Sequence, residues 1–207
     1  MRSPWHDSAQ VPVYITNIRT RQANNPLTTL PGPATAALSP FAAEPASALR
    51  RLDVRVTRPA AELLQLEYEL QGDLARVRLE NHPDGPTDGL WRHTCMEVFV
   101  ASAPAGAYLE FNLAPDGRWA AYRFSGYRAG MAALTGIRPP RIELRTRSER
   151  LLVSADVALP VDLATSGLHL GLTAVVENTD GKLEYWALRH LGPKPDFHHP
   201  DSFGFEI

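Results

Sequence analysis

Two glutamates, Glu97 and Glu110, stand in short runs of alternating character, Met96-Glu-Val-Phe-Val100 and Tyr108-Leu-Glu-Phe-Asn-Leu113. In an extended chain, residues two apart share a face. Met96, Val98 and Val100 then form one apolar row, and Leu109, Phe111 and Leu113 another. Glu97 and Phe99 fall on the reverse side of the first run, and Tyr108, Glu110 and Asn112 on the reverse side of the second. A third run, Trp119–Phe124, is expected to turn Tyr122 and Phe124 inward and Trp119 and Arg123 outward. A face that mixes carboxylates, an amide, a guanidinium and flat rings suits a polyhydroxylated ligand, since rings cover apolar C–H faces and polar groups bond hydroxyls. Two carboxylates can also cleave glycosides, at separations of about 5–5.5 Å for retention or about 6.5–9.5 Å for inversion. Directly opposite positions on neighbouring strands give about 5 Å. The plain alternative is a solvated face with cross-strand Glu–Arg pairs, each worth about 0.2–1 kcal/mol.

Other residue types allow other chemistry. The tail Pro195-Asp-Phe-His-His-Pro-Asp-Ser202 carries ligand-type residues in Asp196, His198, His199 and Asp201. Adjacent histidines rarely converge on one ion, so no metal site is assigned. The tail reads instead as a loop anchored by Phe197 and Phe203, which closes one end of a groove and brings His198 near a ligand. The single cysteine, Cys95, excludes a disulfide framework and multi-cysteine zinc sites. His93 lies two residues before it, yet a lone thiol beside one histidine is more often inert packing. The chain has no Gly-x-Ser-x-Gly elbow, phosphate-cradling loop or His-Glu-x-x-His pair. No residue is therefore assigned as catalytic, and no cofactor is assigned.

The elements that must position these groups are strands. Period-two patterns recur at Leu52–Val56, Leu64–Leu70, Met96–Ala101, Tyr108–Ala114, Trp119–Phe124, Ile142–Arg147, Leu151–Leu159, Leu168–Val176 and Leu183–Leu188. Asp116-Gly117 and Asp180-Gly181 mark hairpins. Only Gly126–Gly136 and Val161–Ser166 leave room for a helical turn. About nine short strands at this spacing define an all-β chain, an antiparallel β-sandwich or flattened barrel. Residues 1–48 hold seven of the eighteen prolines and read as a flexible Pro/Ala-rich leader, with a possible short strand at Val11–Ile18 and an extended linker at Pro31–Pro45. The sandwich domain is expected over 49–207. Polar residues interrupt the place of a signal peptide, so the expected location is cytoplasmic. With 207 residues and a formal charge of −2, the chain lacks the basic stripe of nucleic-acid binders. No apolar run reaches the roughly 18 residues of a membrane span.

Three stretches together carry a family likeness. They are Asp88-Gly-Leu-Trp-Arg-His-Thr-Cys-Met-Glu-Val-Phe-Val100, Tyr108-Leu-Glu-Phe-Asn-Leu-Ala-Pro-Asp-Gly-Arg-Trp119 with the residues that follow to Met131, and Leu183-Glu-Tyr-Trp-Ala-Leu-Arg-His190 with its tail to Phe203. Over residues 50–207 the chain resembles the bacterial DOMON-like proteins, β-sandwiches related to carbohydrate-binding module family 9. The resemblance implies nine to eleven strands and a ligand groove over one sheet or between two. It implies ligand contacts at Glu97, Glu110 and Asn112, with Trp91 and Trp186 as stacking rings, and the alternation adds Arg123 as a hydroxyl partner. The implied partner is a small molecule, a sugar or glycan fragment, bound without being transformed. The redox branch of the same group, which uses axial Met and His ligands, implies a haem reading with Met96 or Met131 and His190 or His198, and the glutamate pair keeps a glycosidase-like enzyme open. No acidic loop has a calcium spacing.

Overall fold

The computed structural model describes residues 32–42, 47–103, 106–163 and 167–207. The possible strand at Val11–Ile18 lies outside them. Thirteen strands follow in chain order: β1 (Ala34–Pro40), β2 (Leu49–Ala60), β3 (Leu63–Gly72), β4 (Gly85–Pro86), β5 (Cys95–Ala101), β6 (Tyr108–Leu113), β7 (Arg118–Phe124), β8 (Ala132–Ala133), β9 (Arg141–Arg147), β10 (Arg150–Ala158), β11 (His169–Glu177), β12 (Leu183–Ala187) and β13 (Phe205–Glu206). Among the described residues no helix is long and apolar enough to cross a membrane.

One sheet runs β1-β2-β3-β10-β9 and the other β4-β7-β6-β5-β11-β12, with β8 on β7 and β13 on β11. Pairing is antiparallel except for the two-residue contact of β4 with β7. β1 belongs to both sheets: Ala34–Leu38 pair with β2, and Ser39 and Pro40 with Ala187 and Trp186 of β12. This corrects the linker reading for Ala34–Pro40. Alanines and Leu38 give residues 34–40 enough apolar surface to join a sheet at its seam, where Pro40 ends the pairing. The expected helical turn in Gly126–Gly136 is instead a tight turn followed by β8, whereas Val161–Leu163 does form one 3-10 turn.

The core fills the space between the sheets. Leu52, Val54 and Val56 of β2 and Leu64, Leu66, Tyr68 and Leu70 of β3 face Met96, Val98, Val100, Phe111 and Leu113 from the other sheet. Their strict alternation with charged partners such as Arg55 and Glu67 fixes the register, because a one-residue slip would exchange the two faces. Tyr68 reaches across the core and donates its hydroxyl proton to the Glu97 carbonyl oxygen at 2.8 Å. This bond pins β5 against the facing sheet. β5 and β6 are buried on both faces throughout. Their outer face is covered by the C-terminal segment, and a second apolar cluster forms there from Phe99, Tyr108, Tyr122, Phe124, Phe197 and Phe203.

Candidate functional site

The outer face of the second sheet carries the polar groups. Rows of paired residues cross it: Ala187–Thr173–Glu97–Asn112–Ala120, and beside it Gly171–Phe99–Glu110–Tyr122. Glu97 lies opposite Asn112, and Glu110 opposite Phe99. The two glutamates are therefore diagonal neighbours, about 7–8 Å apart along the backbone, and not the directly opposite pair that the sequence allowed. Both point out of the same face into a pocket of about 360 Å³.

Each carboxyl is fixed on one oxygen. Thr173 Oγ1 donates to Glu97 Oε2 at 3.1 Å, and Asn112 Nδ2 donates to Glu110 Oε1 at 2.7 Å. The remaining oxygens, Glu97 Oε1 and Glu110 Oε2, accept no hydrogen bond among the described residues. Glu97 is 3% exposed and Glu110 5%, and neither has a lysine or arginine within ion-pair distance. Burial, reinforced by the neighbouring Glu110, pushes the Glu97 carboxyl up to about 8. Burial also raises Glu110, against the Asn112 bond and the Arg128 charge. At neutral pH the pair thus holds a proton and offers both a donor and an acceptor.

The walls come from three segments. The first is the turn Leu90–Arg92, which Gly89 enters at a φ of 75°, in the left-handed region that favours glycine. Tyr122 donates its hydroxyl to Asp88 just before it, and Trp91 rests edge-on against the Tyr122 ring at 6.1 Å. The second is the loop after β7, which supplies Arg128 and Met131. Arg128 has a φ of 52°, a strained position for a side-chain-bearing residue, closed by the turn bonds Ser125 N to Ala129 O and Ala129 N to Gly126 O, each 3.0 Å. The third is the C-terminal tail with Pro195, Phe197 and His198.

His198 is caged by Phe99, Phe124 and Tyr108, with ring centroids at 5.1, 5.1 and 5.9 Å. This burial, with the Arg128 cation nearby, lowers its imidazole to about 4, so the ring is neutral at pH 7. The Arg128 amide donates to Tyr108 Oη at 3.2 Å, and Tyr108 Oη lies 2.8 Å from His198 Nδ1. The tyrosine proton therefore serves Nδ1, and the Nε2–H points toward Glu110 Oε2 at 3.9 Å.

Of the residues singled out in sequence, Trp91, Glu97, Glu110 and His198 line this one pocket. Asn112 sits beneath it and orients Glu110. Two residues do not join them. Trp186 is 3% exposed in the core between the sheets, where its indole N–H donates to Glu184 at 3.2 Å. Arg123 is exposed and faces a separate depression beside Ser102 and Asp162. The rows of β7 are the reverse of those expected: Tyr122 and Phe124 face the pocket side, while Trp119 packs toward the inter-sheet core. Ala121 takes the inward position of β7 where a larger ring was expected. Tyr185, the neighbour of Trp186, is the ring that β12 presents to the pocket. Arg128, Met131 and Val175 are lining residues that alternation could not find, since two of them belong to an irregular loop.

The rival chemistries lose groups to packing. Met96 is buried in the core, His190 Nε2 donates to the Ser39 carbonyl at 2.8 Å, and His198 Nδ1 is engaged by Tyr108. Only Met131 and His198 share the pocket. Cys95 is fully buried, and burial raises its thiol well above the ordinary value. Its nearest side-chain acceptor is Asn112 Oδ1 at 3.6 Å. His93 binds Glu177 at 2.7 Å instead. No group of three or more His, Cys, Asp or Glu side chains among the described residues is placed to hold a metal ion.

This architecture is a β-sandwich with a ligand-sized pocket on the outer face of one sheet. Solved structures are similar to it in fold. A candidate carbohydrate-binding protein from Bacteroides uniformis matches with a TM-score of 0.57 over 83% of this chain and 84% of its own, at 16% identity. A family 9 carbohydrate-binding module from Caldicellulosiruptor kristjanssonii, in complex with cellotriose, matches with a TM-score of 0.50 over 74% of this chain and 71% of its own, at 9% identity. At these identities the likeness is one of fold, and the fold is that of a family 9-like sandwich. No protein-family profile and no curated protein matches the chain.

Proposed function

We propose that this protein is a non-catalytic, DOMON-like carbohydrate-binding sandwich whose pocket holds a sugar over Glu97 and Glu110. The observation that carries the reading is the pair of buried carboxyls, each anchored on one oxygen and turned with the other toward an aromatic-walled pocket. A sugar hydroxyl donates one proton and accepts others. A protonated Glu97 beside Glu110 matches both needs. Trp91, Phe124 and Tyr185 offer flat apolar surface for ring C–H groups. Ligand pockets of this kind run from about 300 to 1,000 Å³, which places a 360 Å³ pocket at the small end and suits one or two rings. The fold likeness to carbohydrate-binding structures supports the same reading.

A glycosidase needs its carboxylates on either side of the scissile bond. Here both rise from neighbouring strands at a backbone spacing of about 7–8 Å, a distance compatible with inversion, so release of chromophore from aryl glycosides, abolished in Glu110→Gln, separates a glycosidase from a binding module.

Titration calorimetry against a panel of neutral monosaccharides tests the proposal. Wild-type protein is expected to bind at least one. Glu110→Gln and Trp91→Ala are expected to weaken that binding by about tenfold or more, the value of one well-placed polar or stacking contact. A panel without binding, or variants that bind like the wild type, overturns it.

A further inference from the structure

The pocket over β5 and β6 carries acids that no cation of the chain answers. Its charged lining residues are Glu97, Glu110 and Arg128. The Arg128 guanidinium is engaged on the rim, where its Nη2 and Nε donate to Asp196 Oδ1 at 2.7 and 3.2 Å. Burial keeps the His198 ring neutral and holds the proton on the Tyr108 phenol. The free oxygens, Glu97 Oε1 and Glu110 Oε2, belong to side chains only 3% and 5% exposed, and both residues line the cavity. Buried acceptors without a partner are rare in folded proteins. Two of them in one pocket call for a donor that arrives with the ligand.

Resting on the sugar-binding reading for the ligand's place, we infer that the ligand carries a protonated primary amine, whose N–H groups donate to Glu97 Oε1 and Glu110 Oε2. A hydroxyl has one proton to give, whereas an ammonium has three and accepts none. It therefore serves both carboxylates at once. Trp91, Phe124, Tyr185 and Phe197 line the same pocket, and aromatic faces attract ammonium groups. In the empty pocket the acid pair offsets its own charge by keeping a proton, since burial pushes Glu97 up to about 8. The ammonium takes over that role. The Glu97 proton then leaves for solvent, both carboxyls are ionised, and no covalent bond of the ligand changes. An amino sugar and a simple ring amine share this chemistry.

Calorimetry on the full chain tests it at about pH 6.5, where amines of both kinds are protonated. Glucosamine is compared with glucose and N-acetylglucosamine, and cyclohexylamine with cyclohexanol. Glucosamine is expected to bind at least about tenfold tighter than either neutral sugar, the value of a hydrogen bond to a charged group. Titrations in buffers of different ionisation enthalpy should show up to about one proton released per amine bound. Glu97→Gln should abolish that release and most of the preference for the amine. The release is read on the wild type, so it stands as a test even where the variant fails to fold. Cyclohexylamine binding more weakly than glucosamine makes the ligand an amino sugar. Glucosamine binding no tighter than glucose, or without proton release, overturns the amine inference while the sugar reading stands. Cyclohexylamine bound with no sugar of either kind overturns the sugar reading and leaves a simple amine as the ligand. Failure of every probe overturns both.

Discussion

Arg128 and Asp196 lie 68 residues apart in the chain, and their side chains meet at 2.7 Å on the rim of the pocket. Asp196 also accepts from the Tyr127 hydroxyl and from the His198 amide, the latter at 3.3 Å. Partial burial opposes its ionisation, but the bonds from Tyr127 and Arg128 prevail and hold its carboxyl below the usual range. One carboxylate thus ties the loop after β7 to the C-terminal tail. Because the Arg128 end of the pair is half exposed, the ion pair itself is worth only about 0–1 kcal/mol after screening. Asp196→Ala is expected to leave the melting temperature nearly unchanged while hydrogen exchange accelerates in residues 125–131. A loop as protected as in the wild type would show that the turn bonds alone hold it.

The acid pair predicts a pH dependence of stability. The Glu97 carboxyl rises to about 8 on folding, so the folded state holds a proton that the unfolded chain releases near 4.5, the ordinary value of a glutamate. That stabilisation is complete at low pH and is lost as pH rises to about 8. His198 works the other way: lowered to about 4 from 6.5, it favours the folded state above pH 6.5 and loses that contribution as pH falls toward 4. Between about pH 4.5 and 6.5 the two slopes oppose each other. From pH 6.5 to 8 the Glu97 slope stands without that opposition, at up to about 1.4 kcal/mol per pH unit. Denaturant melts of wild type and Glu97→Gln across this window should diverge, the wild type losing stability faster. Parallel curves would mean that Glu97 is ionised in the fold at neutral pH.

Much of this arrangement was legible in the sequence. The alternation of Met96–Val100 and Tyr108–Leu113 placed Glu97, Glu110 and Asn112 on one face because buried rows of Val, Leu and Phe leave a strand only one orientation. It failed where both rows of a strand contain large residues. β7 carries Trp119 in one row and Tyr122 and Phe124 in the other, and β12 sets Trp186 against Tyr185. There the choice depends on which neighbour fills the core, which one strand does not encode. Glu184 added to the ambiguity: a glutamate in the inward row of β12 suggests an outward face until its four donors are seen. The Arg128 loop and the joining of β1 to both sheets arise from turns and seams, where periodicity carries no information.

Gly171 is the point at which the tail is seated. A Cβ there would meet Phe203 Cδ1 at 2.7 Å and Phe99 Cβ at 3.2 Å, and Phe203 stacks on Phe99 with centroids 5.5 Å apart. Gly171→Ala is expected to cost about 1–3 kcal/mol as an overpacking change. Phe203→Ala opens the space that the new methyl needs. The double variant should therefore be more stable than the sum of the two single losses implies, a coupling read from a double-mutant cycle. Strict additivity would show that the backbone, and not Phe203, absorbs the methyl group.

The two tryptophans that looked equivalent in sequence should separate by experiment. Trp186 lies in the inter-sheet core, and its removal leaves a cavity and takes one of the two donors from Glu184 Oε2, which keeps Ser47 Oγ. Trp186→Ala is expected to lose about 3–5 kcal/mol, a large share of the roughly 5–15 kcal/mol that holds a domain folded. Trp91 rests on the pocket rim, with one edge toward Tyr122 and the Arg92 guanidinium 5.9 Å from its ring. Its truncation removes contacts worth only about 1 kcal/mol and exposes no buried polar atom. Thermal melts should therefore show a steep fall for Trp186→Ala and a slight one for Trp91→Ala. Sugar titrations should show the reverse order in whatever Trp186→Ala protein remains folded. If Trp91→Ala unfolds the chain as readily as Trp186→Ala, the rim indole is a structural plug and the pocket has lost its platform.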